Sequence, residues 1–280
     1  MSSADQKFRF SQYSAMADHE RGLGELPVWN LTDLYSSPDA PEVKADLAIA
    51  AEAATDFKKR YKGQIAPLAA SGGGGAELGR AIGIYEEIED RLGRLISYAG
   101  LLYAQDNTNP ANAKFYGDIQ ERVTTISTDL LFFALELNKL DDDTFAAALK
   151  DPALAHYGLW LRDLRAMRPY QLSDELETLL HEKSVTGHAA WNRLFDETMA
   201  RLTFEAGGKK LTLEAALHRL SEKDRTKREE AAHSLAETFK ANLPLFTLIT
   251  NTLAKDKEIE DRLRGFEDIA QSRHIANRVE

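Results

Sequence analysis

Apolar side chains recur along most of the chain at steps of three and four residues, the period of one face of an α-helix. Two long stripes of this kind run from Leu78 to Leu102 and from Phe115 to Leu137. The short segment Asn107–Pro110 lies between them and is typical of a turn, so the pattern predicts an antiparallel pair of helices. A third stripe, from Val43 to Tyr61, precedes Gly63, which is placed to end a helix.

Capping residues and prolines divide the rest of the chain into further helices. Asp141 and Ser173 are placed to cap helices at their N-termini, and Pro169 should end the helix that precedes it. After these, the pattern predicts helices over residues 213–220, 221–240 and 244–264, and another beginning within 266–280.

One segment alternates apolar and polar residues with a period of two, which is typical of a strand. Leu202-Thr203-Phe204 and Leu211-Thr212-Leu213 flank Gly207-Gly208, a pair suited to a tight hairpin turn. The predicted fold class is therefore all-α: a multi-helix array of long antiparallel helices with one small β-hairpin at about residues 202–213.

The chain is expected to contain three regions. Residues 1–25 are polar and should form a loosely ordered N-terminal tail, after which a segment around Trp29 should run extended and place its apolar side chains on a helical body. Residues 26–200 should form a helical domain and 201–280 a hairpin followed by helices. The glycine run Ser71–Gly75 is interpreted as a flexible joint rather than a phosphate loop, because Ala76-Glu77 stand where a P-loop needs Lys and Ser or Thr.

Composition narrows the possible functions. The 280 residues include 35 Lys and Arg against 45 Asp and Glu, a formal net charge of −10, which disfavours binding to nucleic acid and to an anionic membrane surface. The absence of cysteine excludes disulfides and thiolate catalysis and fits a reducing compartment. Neither an apolar leader nor a spanning segment is recognisable. We therefore expect a cytoplasmic protein with no nucleic-acid or membrane partner.

No complete catalytic or metal-binding motif is present. His181-Glu182 and His19-Glu20 begin like the zinc motif His-Glu-x-x-His, but Val185 and Leu23 occupy the positions of the second histidine. Glu230-Ala231-Ala232-His233 matches one half of a four-helix di-iron site, which requires a second such element. The sequence therefore identifies no catalytic and no metal-ligating residue in this chain, and the substrate-binding residues stay undefined.

Several segments together resemble oligoendopeptidase F-like zinc metallopeptidases of the thimet-oligopeptidase clan. The resemblance begins at Trp29-Asn30-Leu31-Thr32-Asp33-Leu34-Tyr35 and continues in the same order and spacing to the end of the chain. The later segments are Arg168-Pro169-Tyr170-Gln171-Leu172-Ser173 with Glu175 and Leu179-Leu180, Ala190–Phe195, the hairpin Leu202–Leu213, Asp224-Arg225 with Arg228, and Ser272-Arg273 with Asn277.

This resemblance implies the N-terminal part of a zinc-dependent metalloendopeptidase that hydrolyses short oligopeptides. The 26–200 domain would form a lid or one wall of the substrate channel, and 201–280 would be the truncated start of the catalytic domain. Zinc is expected only in a full-length protein, so this chain should bind no cofactor and be inactive alone. Surface meant for a missing half could also cause self-association.

An alternative interpretation is a non-catalytic helical module that binds peptides or a protein partner. A di-iron enzyme or another metalloenzyme is a more distant possibility.

Overall fold

A computed structural model describes residues 29–71 and 74–279. The predicted N-terminal tail, residues 1–25, lies outside the described residues. The chain divides into two compact units, Met1–Ser37 and Pro38–Glu280. The three regions predicted from the sequence stay a prediction.

The described part of the first unit is a short turn rather than the extended segment that the sequence suggested. The carbonyl of Leu31 accepts hydrogen bonds from the backbone N–H groups of Leu34 and Tyr35, at 3.0 and 3.2 Å. Trp29, which was expected to be buried, is 71% exposed. The Asn30 side chain accepts a hydrogen bond from the N–H of Thr32, so local polar contacts favour a turn here.

The second unit is helical apart from one hairpin, which confirms the predicted fold class. In its first part the helices are α1 (Pro41–Tyr61), α2 (Ile65–Ala70), α3 (Gly74–Gln105), α4 (Pro110–Thr128), α5 (Leu131–Lys139), α6 (Asp142–Ala148) and α7 (Gly158–Arg165), with 3₁₀ turns at Pro152–Leu154 and Arg168–Tyr170. The remaining elements are α8 (Asp174–Lys183), α9 (His188–Arg201), β1 (Phe204–Ala206), β2 (Lys209–Leu211), α10 (Leu213–Arg219), α11 (Arg225–Ala241), α12 (Leu243–Arg264) and α13 (Gln271–Ala276).

One predicted helix is divided in the structure, and another is short. The apolar stripe from Phe115 to Leu137 is divided between α4 and α5, with Asp129 and Leu130 between them. The Asp129 carboxylate accepts a hydrogen bond from Lys58 Nζ at 2.6 Å, which attaches this break to α1. The helix expected to begin within 266–280 is the short α13. Gly265 adopts φ +79° and ends the preceding helix, α12, in a left-handed turn.

Side-chain caps fix several helix starts, those at Asp141 and Ser173 as the sequence predicted and one at Asn109 that it did not. Asp141 Oδ1 accepts a hydrogen bond from the N–H of Thr144 at 2.8 Å at the start of α6. Ser173 caps α8 in the same way, and Asn109 caps α4. These side chains satisfy backbone donors that would otherwise have no partner in the first turn.

The glycine run is not the joint that was predicted, at least over its second half. Gly74 and Gly75 are buried and form the first turn of α3. A Cβ atom at Gly75 would lie 2.3 Å from the side chain of Asp151, a separation that no real contact allows. Glycine is therefore needed there for close packing; Gly72 and Gly73 lie outside the described residues.

The main hydrophobic core lies among α1–α7. Phe133 is fully buried, with its ring centroid 5.1 Å from that of Phe57 and 5.2 Å from that of Tyr85. A second, smaller core joins the hairpin to α10 and α11 through Phe204, Ala216 and Leu235. In the hairpin, Phe204 pairs with Leu211 in antiparallel register, and Gly207 and Gly208 have φ angles of +62° and +71°.

Among the residues that the structure describes, none of the helices has the combined length and apolar character needed to cross a lipid bilayer.

Candidate functional site

The first candidate site is a groove of about 560 Å³ between the hairpin and α11, named here the hairpin groove. Glu230, His233 and Glu237 line it from one face of α11. Glu230 accepts a hydrogen bond from Arg219 at 3.3 Å, so an ion pair already occupies this carboxylate. The Glu-x-x-His element of the sequence therefore lies at the surface beside a β-hairpin, not inside a four-helix bundle.

His181 and His188 do not form a site either. His181 Nε2 lies 2.8 Å from Ser127 Oγ, which joins α8 to α4. His188 is exposed at the start of the next helix. His19 lies outside the described residues. Within residues 29–71 and 74–279, His, Asp and Glu side chains nowhere gather in the groups of three or more that could hold a metal ion.

In the segment Asp224–Arg228, the first and last side chains are bonded to nearby backbone groups. Asp224 caps α11 by accepting a hydrogen bond from the N–H of Thr226 at 2.9 Å. Arg228 donates to the carbonyl oxygens of Glu222 and Lys223, at 2.7 and 2.9 Å. These contacts occupy the Arg228 guanidinium within the protein.

A second groove, of about 370 Å³, lies where α5, the segment 167–177 and the end of α12 meet. We name it the Asn138 groove. Tyr170 stacks on Phe266 with ring centroids 4.2 Å apart, and its hydroxyl accepts a hydrogen bond from Gln271 at 2.6 Å. The left-handed turn at Gly265 ends α12 immediately before Phe266, the residue that stacks on Tyr170.

An ion pair with little exposure connects the two sides of this groove. Arg264 Nη1 lies 2.7 Å from one carboxylate oxygen of Glu177, and Nη2 lies 3.0 Å from the other, with both side chains 12% exposed. Burial acts to raise the pKa of Glu177. The hydrogen bonds from Arg264 and from the N–H of Leu172, together with the Arg264 charge, outweigh burial and hold that pKa below its usual value.

Two carboxamide side chains line the groove with incomplete hydrogen bonding. Asn138 is 5% exposed, and its side chain makes no hydrogen bond with the residues that the structure describes. Gln171 Nε2 donates to the Leu135 carbonyl at 3.2 Å, while Gln171 Oε1 is buried without a partner in the described part of the chain. The buried Gln171 oxygen without a partner costs free energy, whereas the Asn138 amide has no protein partner but reaches the groove surface, so each is a candidate contact for a ligand or an ordered water.

Sequence reasoning found only part of this site. Gln171 belongs to the segment Arg168–Ser173 singled out for its resemblance, and the structure brings that segment next to Ser272, in another such segment. Asn138, Glu177 and Arg264 were not singled out. Asn138 lies within an apolar helix, and a polar residue at such a position was the one signal in the sequence that could have indicated this site.

The family comparison matches a segment of the chain that includes residues of the Asn138 groove. Residues 136–204, which include Asn138, Gln171 and Glu177, match the family model described as Oligopeptidase F. The chain is similar to the Oligopeptidase PepF of Bacillus subtilis (strain 168), with 23% identity over 82% of this chain and 34% of that protein.

Two solved structures have a similar fold. The crystal structure of oligoendopeptidase-F from Enterococcus faecium matches with a TM-score of 0.74 and 20% identity, over 85% of this chain and 47% of that one. The structure of a putative peptidase from Chlamydophila abortus matches with a TM-score of 0.51 and 18% identity, over 90% of this chain and 42% of that one.

The chain thus spans about a third of the length of the curated relative and less than half of each solved structure. Residues 136–204 therefore resemble the Oligopeptidase F family, the chain as a whole is similar to part of an oligopeptidase PepF, and its fold is that of part of an oligoendopeptidase-F.

Proposed function

We propose that this chain forms one wall of the substrate channel in a zinc-dependent metalloendopeptidase that hydrolyses short oligopeptides. The observation that supports this best is the distribution of exposed apolar side chains, which are concentrated after residue 158. In a chain that spans less than half of the peptidase structures it resembles, this distribution fits a surface meant to be covered by a second half of the same enzyme.

The exposed apolar side chains lie mainly on α8, α9 and α12. Helix α9 contains 14 residues and none of them is buried. The exposed members on these three helices are Leu176, Leu179, Leu194, Phe195, Leu243, Leu248, Ile259 and Leu263, each between 39% and 57% exposed. Apolar surface of this extent on a soluble protein is typical of an interface or a ligand groove.

The chemistry would reside in residues that this chain does not contain. By resemblance, zinc is held by a His-Glu-x-x-His segment and a further glutamate, and the glutamate of the motif activates a zinc-bound water for attack on a peptide carbonyl. No such motif occurs in the 280 residues. We therefore expect the chain to be inactive alone. Its role would be to shape a channel that admits short unstructured peptides and excludes folded proteins.

The test compares peptidase activity in two proteins. One is this chain, and the other is extended through its own reading frame; both are assayed with a fluorogenic oligopeptide, added zinc and a chelator control. The proposal predicts chelator-sensitive activity in the extended protein alone. Activity of the 280-residue chain would contradict it by showing a zinc site within these residues, and inactivity of both would favour the alternative below.

The alternative is a helical module that binds peptides without cleaving them. The Asn138 groove favours it as a second candidate, because the unpartnered Gln171 oxygen and the Asn138 amide that line it could bind a peptide with no catalytic group nearby. A reading frame that stops after Glu280 and a stable 280-residue product in cells would support this alternative. Cytoplasmic location stays a prediction under both proposals.

Self-association is a further consequence of the proposal. If a second half normally covers α8, α9 and α12, the isolated chain should associate through them. Sedimentation should then show a mass that increases with concentration, and Leu248→Ser with Leu263→Ser should weaken the association. A strictly monomeric chain at high concentration would argue against an uncovered interface.

A further inference from the structure

In the Asn138 groove, uncharged hydrogen-bonding groups lack partners, while the charged side chains already form ion pairs. Asn138 is 95% buried yet has no side-chain hydrogen bond with any described residue, and Gln171 Oε1 is buried and unpartnered. The Gln171 oxygen loses its hydrogen bonds to bulk water without replacing them by protein contacts, and the Asn138 amide has only the groove itself in which to form hydrogen bonds. Whatever occupies the groove should supply those hydrogen bonds.

The side chains of Asn138 and Gln171 line the same groove. Gln171 Nε2 donates to the carbonyl oxygen of Leu135, which fixes the Gln171 side chain against α5. Asn138 is three residues further along the same helix, and residues separated by three are neighbours on a helix surface. One extended ligand could therefore contact both side chains.

The charges around the groove argue against an ionic ligand. Arg264 is paired with Glu177 and, at 2.8 Å, with Glu260. Lys257 is paired with Asp261 and donates a hydrogen bond to Ser272 Oγ at 3.1 Å. A charged ligand would have to displace these contacts, whereas a neutral group with hydrogen-bonding capacity would not.

A peptide unit fits what is missing. It offers one N–H donor and one carbonyl acceptor, which complement the oxygen and the NH₂ group of a carboxamide. The volume of about 370 Å³ lies within the range of small-ligand pockets, and Leu135, Leu164 and Met167 provide apolar walls for a side chain.

We propose that the Asn138 groove binds a short uncharged peptide segment. Gln171 Oε1 accepts a hydrogen bond from one peptide N–H, and the Asn138 side chain donates to a peptide carbonyl. This inference deepens the proposed function and rests on it for the choice of a peptide over other amides. It assigns the peptide contact to this chain's own residues, with no contribution from a catalytic half.

The experiment measures binding in the 280-residue chain by NMR. The ¹⁵N-labelled protein is titrated with N-acetyl-alanyl-leucine amide, an uncharged capped dipeptide, and the side-chain NH₂ resonances of Asn138 and Gln171 are followed. Both should shift and saturate together. N-acetyl-leucine methyl ester offers fewer peptide N–H groups and should bind at least tenfold more weakly.

A pair of matched variants separates binding from folding. Asn138→Leu removes the unpartnered amide at similar volume, so its Tm should be no lower than that of the parent while dipeptide binding falls at least tenfold. Asn251→Leu, at an exposed position on α12, is the control and should bind as the parent does. If Asn138→Leu fails to fold, the resonance shifts in the unmodified chain still decide the question.

Two results would overturn the inference. Saturating shifts that leave both carboxamides unaffected would place the peptide elsewhere, and no binding at all would mean that only water fills the groove. Because no hydrolysis is measured, an inactive extended enzyme would contradict the proposed function without affecting this result. Conversely, if the extended enzyme is active but this chain binds no dipeptide, only the proposal that the Asn138 groove binds a peptide would be refuted.

Discussion

Helices α3 and α12 are both long and amphipathic, yet they differ sharply in how they are buried. Of the 32 residues of α3, eleven are buried, including Leu78, Ile88 and Leu95. Of the 22 residues of α12, Ile249 alone is buried. The comparison shows that an amphipathic pattern specifies a helix in both places, but a core forms only where partner helices are present.

The difference extends to the regions around these helices. Helices α1–α7, over residues 41–165, which we call the N-terminal body, enclose the main aromatic core. Helices α8–α13, over residues 174–276, which we call the C-terminal helices, are joined mainly by the small core at Phe204 and by contacts such as Phe195–Phe246, 5.9 Å between ring centroids. Under the proposed function the C-terminal helices are completed by a second half of the enzyme.

The largest expected effect comes from truncating one phenylalanine in each region, a buried one in the N-terminal body and a partly exposed one in the C-terminal helices. Phe133→Ala should lower the free energy of unfolding by about 3–5 kcal/mol, because it removes a fully buried ring and leaves a cavity. Phe195→Ala, at a ring that is 42% exposed, should cost about 1 kcal/mol or less. Urea unfolding measures both, and equal losses would contradict the contrast between the regions.

An ion pair within the C-terminal helices, between Glu177 and Arg264, provides the next test. Arg264→Met should destabilise the protein by about 3 kcal/mol, because it leaves the poorly exposed Glu177 carboxylate without its partner. Asp174→Asn is the matched control: it breaks the exposed Lys139–Asp174 pair and should cost about 0.5 kcal/mol. Similar losses in the two variants would show that the Glu177–Arg264 pair has no special role.

Replacing two glycines of α3 by alanine should change the free energy of unfolding in opposite directions. Gly75→Ala should destabilise by about 1–3 kcal/mol, because the new Cβ would overlap the Asp151 side chain. Gly93→Ala, in the same helix with open space around it, should stabilise by about 0.5–1 kcal/mol. Thermal unfolding of the two variants checks this, and a neutral Gly75→Ala would mean that the start of α3 is not tightly packed.

The pH dependence should be the smallest effect. The pKa of Glu177 is lower in the folded than in the unfolded chain, so its ion pair contributes stability that is fully present above the unfolded pKa, about 4.3. That stability is lost as the pH falls through the lower folded pKa. Glu177→Gln should remove this part of the acid sensitivity, and identical acid-unfolding profiles for variant and parent would contradict the assignment.

The sequence predicted local structure better than it predicted contacts. Caps at Asp141 and Ser173 and the hairpin at Gly207-Gly208 depend on neighbouring residues, so a pattern of a few positions is enough to find them. The break between α4 and α5 depends in part on Lys58, 71 residues away from Asp129, and no local pattern contains that information. The burial of Gly74 and Gly75 likewise depends on close approach to Asp151.

The candidate site was predictable only in outline. The resemblance placed Gln171 in a notable segment, but Asn138 and Arg264 become part of a site only once α5 and α12 are brought together. The exposed apolar residues on α8, α9 and α12 gave periodic patterns like those of α3, because the sequence signal for a buried face is the same whether or not its partner is present.

The measurement that tests the central claim most directly is native-state hydrogen exchange across α3 and α12. The account predicts strong protection for the backbone amides of α3 and markedly weaker protection for those of α12 in the isolated chain, with α12 becoming protected in a protein extended through the reading frame. Uniform protection of both helices in an isolated, monomeric chain would contradict the claim that the C-terminal helices await a partner.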